Sequence, residues 1–283
     1  MLKIAIQSKG RLNEKSVALL ADAGITVGGT QRSLISRATG FPMEVLYLRD
    51  DDIPGAVASG VADLGIVGLN EVEEHQADVE VAMHLGFGKC RISLAVPKTE
   101  LYQGLEWFSG RRVATSYPSI LRRFFGEKGI NAKIHFIAGS VEVAPAVGMA
   151  DAIFDIVSSG GTLIQNGLKE VQEVFKSDAV LIANRGLSPQ KRVELQKLMF
   201  RLESIIRSRG MKYVIMNLPA EAVDEAIALM PGMKSPTMIP LTEPGWYSFQ
   251  VVIRESELWE KVEMLKDIGA EDILVLQLEN VIR

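Results

Sequence analysis

The run Asp151-Ala152-Ile153-Phe154-Asp155-Ile156-Val157-Ser158-Ser159-Gly160-Gly161-Thr162-Leu163 decides how the chain is read. Residues 153–157 are apolar around one carboxylate, which suits a buried strand. A turn rich in hydroxyls and glycine follows at residues 158–162, and a helix opens at about Gly161. A strand that passes through such a turn into a helix start aims backbone N–H groups and the positive helix end at one point, which favours phosphate. Asp155 stands just before that cradle, where a carboxylate suits ribose hydroxyls or a Mg2+-bound sugar better than a second anion. The combination fits a ribose 5-phosphate group. An ordinary strand-to-helix connector has the same composition, so the run alone leaves both readings open.

Similar strand ends occur elsewhere in the chain. Ser8-Lys9-Gly10-Arg11 follows an alternating β-rich segment at residues 2–7 and precedes an amphipathic segment at residues 12–23. Two cations flank a glycine there, a pattern that suits a diphosphate or triphosphate and equally a solvated basic turn. Arg49 lies before Asp50-Asp51-Asp52-Ile53-Pro54, a helix start with acids at its positive end, and Gly68-Leu69-Asn70 closes a buried strand at residues 63–68. Thr115-Ser116-Tyr117-Pro118 and Gly139-Ser140-Val141-Glu142 repeat the design. Tyr117 offers a ring for a purine and Thr115 a hydroxyl for phosphate, while Glu142 either holds a ribose hydroxyl or complements a helix dipole. Ligands in open α/β sheets lie beyond strand carboxyl ends, so these ends should converge on a cleft.

The alternation of strands and helices predicts α/β layers with a largely parallel sheet, restarting as a second α/β lobe after Cys90. A long amphipathic helix at residues 189–209 ends at Gly210. Beyond it the order is β-α-β-β-α-β, a ferredoxin-like (ACT-like) unit. Residues 211–283 carry 6 Lys/Arg and 12 Asp/Glu, so the preceding part is the better host for a polyanion.

Composition narrows the functional classes. At 283 residues, with 47% hydrophobic and 23% charged residues and a mean hydropathy of +0.16, the chain suits a multidomain globular protein. The single Cys90 excludes an internal disulfide framework, and His75, His84 and His135 lack metal-ligand spacing. Neither a Walker P-loop nor a nucleophile elbow is present. A net charge of -4 argues against nucleic acid as a partner. The opening residues lack the apolar core of a signal peptide, and no stretch approaches the ~18 apolar residues of a membrane helix, so no membrane partner and a cytoplasmic location are expected.

Taken together, Lys9-Gly10-Arg11-Leu12, Arg49 to Pro54, Asp63 to Gly68, Ala114 to Pro118, Gly139 to Pro145 and Asp151 to Leu168 resemble ATP phosphoribosyltransferase, the family that opens histidine biosynthesis. The Asp155 run also resembles a phosphoribosyl diphosphate signature, without the second acid that many such motifs place directly beside it. Ser235-Pro236-Thr237 and Gly269-Ala270 mark the long form, with a C-terminal histidine-binding domain. The resemblance implies a two-lobed core like the type II periplasmic binding proteins. Its lobes would be residues 1–90 with 179–210, and 91–178, followed by a regulatory domain at 211–283. It implies transfer of phosphoribosyl from phosphoribosyl diphosphate to N1 of ATP, with Mg2+, release of pyrophosphate and feedback inhibition by histidine. A homo-oligomer, dimer or hexamer, is also implied.

By the same resemblance Asp155 and Ser158, Ser159, Gly160, Gly161 and Thr162 match the ribose 5-phosphate site, and Arg11, Tyr117 and Glu142 match nucleotide and ribose positions; with the strand-end reading, Asp155, Lys9 and Arg11 are the expected catalytic residues, and Asp151, Thr115 and Arg49 join the expected substrate-binding ones. Asn217, Met233, Ser235, Thr237 and Ala270 line the histidine pocket, Asn217 standing where some relatives carry an acid. No ligands are assigned to the Mg2+. The alternative is a non-catalytic cytoplasmic two-lobed sensor of a phosphorylated metabolite.

Overall fold

A computed structural model describes residues 1–28, 34–158 and 160–282. Two compact units are present, Met1–Lys197 and Leu198–Arg283. In the first unit the elements run β1 (Leu2–Gln7), α1 (Arg11–Asp22), β2 (Thr26–Val27), β3 (Ile35–Thr39), β4 (Met43–Leu48), α2 (Ile53–Ala58), β5 (Leu64–Gly68), α3 (Leu69–His75) and β6 (Val79–His84). They continue with β7 (Cys90–Pro97), β8 (Arg112–Thr115), α4 (Pro118–Lys128), β9 (Lys133–Phe136), β10 (Ala152–Val157), α5 (Gly161–Gln165), β11 (Leu168–Ser177) and β12 (Ala179–Asn184). Helix α6 (Pro189–Ser208) follows.

The first lobe is built on a sheet of order β2-β3-β4-β1-β5-β12-β6, the second on one of order β11-β7-β10-β8-β9. In each, the central strands are parallel: β4, β1 and β5 in one, β10, β8 and β9 in the other. The flanks are antiparallel, with β12 against β5 and β6 and with β7 against β10 and β11. The sheets are therefore mixed, which corrects the expectation of a largely parallel arrangement. The cause is the path of the chain. It leaves the first lobe after β6, builds the second, and returns as β12, which enters the first sheet antiparallel to β5. The two crossings lie side by side, with Leu85 N–H donating to Ala179 O and Ala179 N–H to Phe87 O, both at 2.9 Å. This double crossing is the arrangement that the binding-protein resemblance implies.

Each lobe closes over its own core. Ala5, Val57, Val67, Val180 and Ile182 are sealed in the first, Leu94, Phe108, Val113, Leu121 and Phe154 in the second. Edge strand β11 escapes a reading by hydropathy because Lys169, Glu170, Glu173 and Lys176 lie along it, as charges on a sheet edge often do.

The second unit contains β13 (Met211–Pro219), α7 (Val223–Leu229), β14 (Thr237–Pro240), β15 (Trp246–Arg254), α8 (Leu258–Asp267) and β16 (Glu271–Gln277). Its antiparallel sheet has order β14-β15-β13-β16, the ferredoxin-like order, over a core that includes Val214, Met216, Phe249, Val251 and Leu265.

Candidate active site

The carboxyl ends of β1, β4 and β5 in the first lobe face those of β8 and β10 in the second. Between them lies a cavity of about 360 Å³ bordered by Gln7, Arg11, Lys15, Asp50, Asn70, Glu71 and Lys89, and by Tyr117, Ile156 and Ser158. Of the expected residues, Arg11, Tyr117 and Ser158 thus meet around one space.

Arg11 is delivered by the turn at the end of β1. Gly10 has φ 96 and ψ -179, a conformation open to glycine and strained for other residues, and its carbonyl accepts the N–H of Glu14 as α1 begins. Lys15 lies one helical turn beyond Arg11 and lines the same cavity. Lys89 reaches it from the crossing between the lobes. Lys9 is exposed in the turn.

The turn after β10 has the expected form. Gly160 takes φ 79 as the residue before α5, and the first amides of α5 have no carbonyl partner within the helix. Gly161 and Thr162 are exposed in that first turn, whereas Ser159 lies outside the described residues. Arg91 braces the turn's start, donating to Ser158 O at 3.4 Å while gripping Glu170 through two bonds of 2.6 Å. Ser93 Oγ donates to the same Glu170 at 2.7 Å, and Arg91 holds that carboxyl below its ordinary range. Asp155 accepts the N–H of Ile156 at 2.8 Å. Burial, with a smaller push from Glu142, raises its carboxyl to about 6.

Tyr117 is nearly buried and part of the second lobe's core. Its phenol donates to Glu71 Oε1 at 3.2 Å and accepts from Asn70 Nδ2 at 3.3 Å. Asn70 also donates to Glu71 Oε1 at 2.7 Å, and its carbonyl oxygen accepts from Ser177 Oγ at 2.8 Å. Burial first, then the charge of Asp50, lifts Glu71 to about 7, and burial keeps the Tyr117 phenol protonated.

Three expected substrate ligands are bonded to other residues of the protein. Thr115 is fully buried and its hydroxyl accepts the Tyr117 N–H at 2.8 Å, so it shapes the turn. Asp151 precedes β10, at the end opposite Asp155's turn, and pairs with Arg112 at 2.8 Å. The Arg112 hydrogen bond holds its carboxyl below the usual range. Arg49 spends its guanidinium on Asp51 through bonds of 3.0 and 2.8 Å.

In the second unit, among the described residues, Met233 and Ala270 border two different spaces. Met233 borders a space of about 250 Å³ with Arg254 and Lys261, and Ala270 borders a groove of about 770 Å³ with Trp259 and Asp272. Thr237 pairs with Gln250 at the start of β14, and Ser235 is exposed in the loop before it. Asn217 Nδ2 donates to Asp272 Oδ2 at 3.0 Å.

Sequence reasoning left Lys15, Glu71 and Lys89 unassigned. Helical spacing from Arg11 points to Lys15, and Glu71 adjoins the strand end singled out at Asn70; nothing local marks Lys89, which the chain crossing places.

Among the described residues no three His, Cys, Asp or Glu side chains converge on a ready-made metal centre. Asp155 and Glu142 supply hard oxygen donors beside the phosphate turn, which fits a Mg2+ held by one or two carboxylates and otherwise by substrate phosphates and water.

Comparison with known proteins gives a consistent picture. Residues 49–204 match the family described as ATP phosphoribosyltransferase, and residues 208–280 match the HisG C-terminal domain. The ATP phosphoribosyltransferase of Bacteroides thetaiotaomicron is 54% identical over 282 residues, covering 100% of both chains. That of Parabacteroides distasonis is 55% identical over the same span and coverage. Among solved structures, a chain of the ATP phosphoribosyl transferase (HisG:HisZ) complex from Thermotoga maritima superposes with a TM-score of 0.65 at 29% identity, covering 73% of this chain and 99% of its own.

Proposed function

The chain belongs to the ATP phosphoribosyltransferase family, and from that premise we propose how its cleft divides the labour of moving a phosphoribosyl group from phosphoribosyl diphosphate to N1 of ATP. Full-length kinship with transferases disfavours the sensor reading. The observation that carries the proposal is the opposition of Arg11, Lys15 and Lys89 to Tyr117 and the Ser158 turn around one cavity.

The amides opening α5, with Gly160 holding the turn, grip the 5-phosphate, and Asp155 orients the ribose hydroxyls. Arg11, with Lys9 and Lys15, neutralises the diphosphate as it departs and C1 gains oxocarbenium character. Tyr117 offers its ring to the purine, and adenine N1 is nucleophilic enough to need no strong base. Asp155 and Glu142 would hold the Mg2+, which would supply charge stabilisation at the diphosphate. Burial around Asp155 and Tyr117 strengthens the contacts those two side chains make.

The assignment of residues 1–90 with 179–210 and 91–178 as catalytic lobes, and of 211–283 as a histidine-responsive domain, is part of this reading. So are a homo-oligomer, dimer or hexamer, and a cytoplasmic location; no helix among the described residues is long and apolar enough to cross a membrane. Incubation with ATP, Mg2+ and phosphoribosyl diphosphate tests it. Stoichiometric pyrophosphate with the absorbance of an N1-substituted adenine is expected, and the absence of both would refute it.

A further inference from the structure

Helix α4 begins in the second lobe and is capped from the first. Its N-cap residue, Tyr117, makes no side-chain cap bond, and Pro118 at the first position has no N–H to satisfy. Glu74 of α3 takes the next two amides. Ser119 N–H donates to its two carboxylate oxygens at 2.8 and 3.1 Å, and Ile120 N–H donates to Oε2 at 3.0 Å. A carboxylate on two otherwise orphaned amides, at the positive end of an 11-residue helix, makes a charge-assisted cap. Such caps ordinarily come from the residue just before the helix. Here the carboxylate lies 45 residues upstream of Ser119, in the other lobe.

Two further contacts run along the same helix pair. Glu71 accepts from the Tyr117 phenol at 3.2 Å, and Glu73 accepts from Arg123 at 2.8 Å. One short helix therefore grips α4 just before its first turn, within it, and one turn later. Tyr117 is the residue most constrained by this clasp, because its own N–H is held by Thr115 and its chain neighbour opens the capped turn.

Resting on the reading of the cleft given above, we propose that Glu74 is a positioning residue for the nucleotide: by capping α4 across the lobes it holds the cleft closed where Tyr117 enters it, and so fixes the ring that meets the purine. The pentose phosphate cradle is built on β10 and α5, neither of which Glu74 caps. Losing the cap lowers the fraction of chains with the ring in place, and apparent nucleotide affinity falls by that fraction.

Full-length Glu74→Ala and Glu74→Gln test this, with each substrate varied in turn and hydrogen exchange followed at the Ser119 and Ile120 amides. For Glu74→Ala the KM for ATP should rise about tenfold, with kcat within about twofold and the KM for phosphoribosyl diphosphate within about threefold, the scale of one lost cap. Exchange at the two amides should quicken by about the same factor. Glu74→Gln keeps one acceptor and should show roughly a threefold rise, which alone decides the matter if Glu74→Ala does not fold. Faster exchange with an unchanged KM for ATP, or an equal rise in both KM values, would overturn the proposal. Absence of transfer by the unaltered protein would instead overturn the reading of the cleft, while the exchange rates still report on the cap.

Discussion

The phenol of Tyr117 lies 3.2 Å from Glu71 Oε1, so a ring in the core of one lobe is tied to a helix of the other. Asn70 bonds both partners, and burial lifts the Glu71 carboxyl to about 7, close to neutral pH. The contact joins the lobes where the proposed nucleotide site begins.

Tyr117→Phe keeps the ring and removes this tie. Glu71 retains Asn70 as a partner, so urea unfolding should show a loss of only about 1 kcal/mol. The KM for ATP should rise by roughly twofold to threefold, since the ring remains but is less well held. Tyr117→Ala also opens a hole in the second lobe's core, with an expected cost of about 3 kcal/mol or more. Equal nucleotide kinetics for the native protein and Tyr117→Ala would remove the ring from the purine site.

Asp155→Asn removes the carboxylate beside the phosphate turn while keeping its size. Turnover should fall by about 10² or more, because the amide neither orients ribose hydroxyls as a charged acceptor nor balances the developing cation. The N–H of Ile156 still finds an oxygen acceptor, so folding should survive. Measured kcat, together with a melting temperature no lower than that of the native chain, checks both halves. Near-native turnover would dismiss Asp155 from the reaction.

Much of this site was legible from residue order. The Gly160 turn reads from composition because a positive φ at a strand-to-helix junction selects glycine, and Lys9-Gly10-Arg11 reads for the same reason at Gly10. The ferredoxin-like order of the last unit follows from alternating hydropathy on strands with one buried face, such as β13, where Val214, Met216 and Leu218 point inward. What the residue order withheld was partnership over distance. Arg112 pairs with Asp151, and Asp51 with Arg49, partnerships that the residue order alone does not show. The antiparallel return of β12 and the arrival of Lys89 depend on where the chain crosses, which local periodicity does not encode.

Stability should vary with pH in a direction set by buried acids. Asp155 and Glu71 are both raised in the folded chain, to about 6 and about 7, above their values when unfolded. Between the unfolded and folded pKa values the native state binds more protons, so their contribution is full below about pH 4 and is lost as pH rises through 6 and 7. Asp151 and Glu170 are lowered, and their contribution vanishes only as pH falls below the ordinary carboxylate range. From pH 5 to 8 the raised pair should dominate, each costing on the order of 2 kcal/mol. Urea unfolding at both pH values should show this slope diminished in Asp155→Asn and in Glu71→Gln. A slope identical to that of the native chain in both variants would contradict it.

Under the histidine-responsive role proposed for residues 211–283, inhibition by histidine should depend on Asp272. Asn217, expected at the effector pocket where some relatives carry an acid, donates to the Asp272 carboxylate at 3.0 Å, and Asp272 holds a left-handed backbone with φ 48. A carboxylate therefore stands beside the amide and is able to accept the ammonium of a bound amino acid in its place. Asp272→Asn keeps the side-chain shape, and asparagine tolerates that backbone region well, so the unit should fold normally. The histidine concentration for half inhibition should rise about tenfold, the cost of one charge-assisted contact, while uninhibited turnover stays the same. Inhibition curves for native and Asp272→Asn chains measure this directly; superimposable curves would place the ammonium elsewhere.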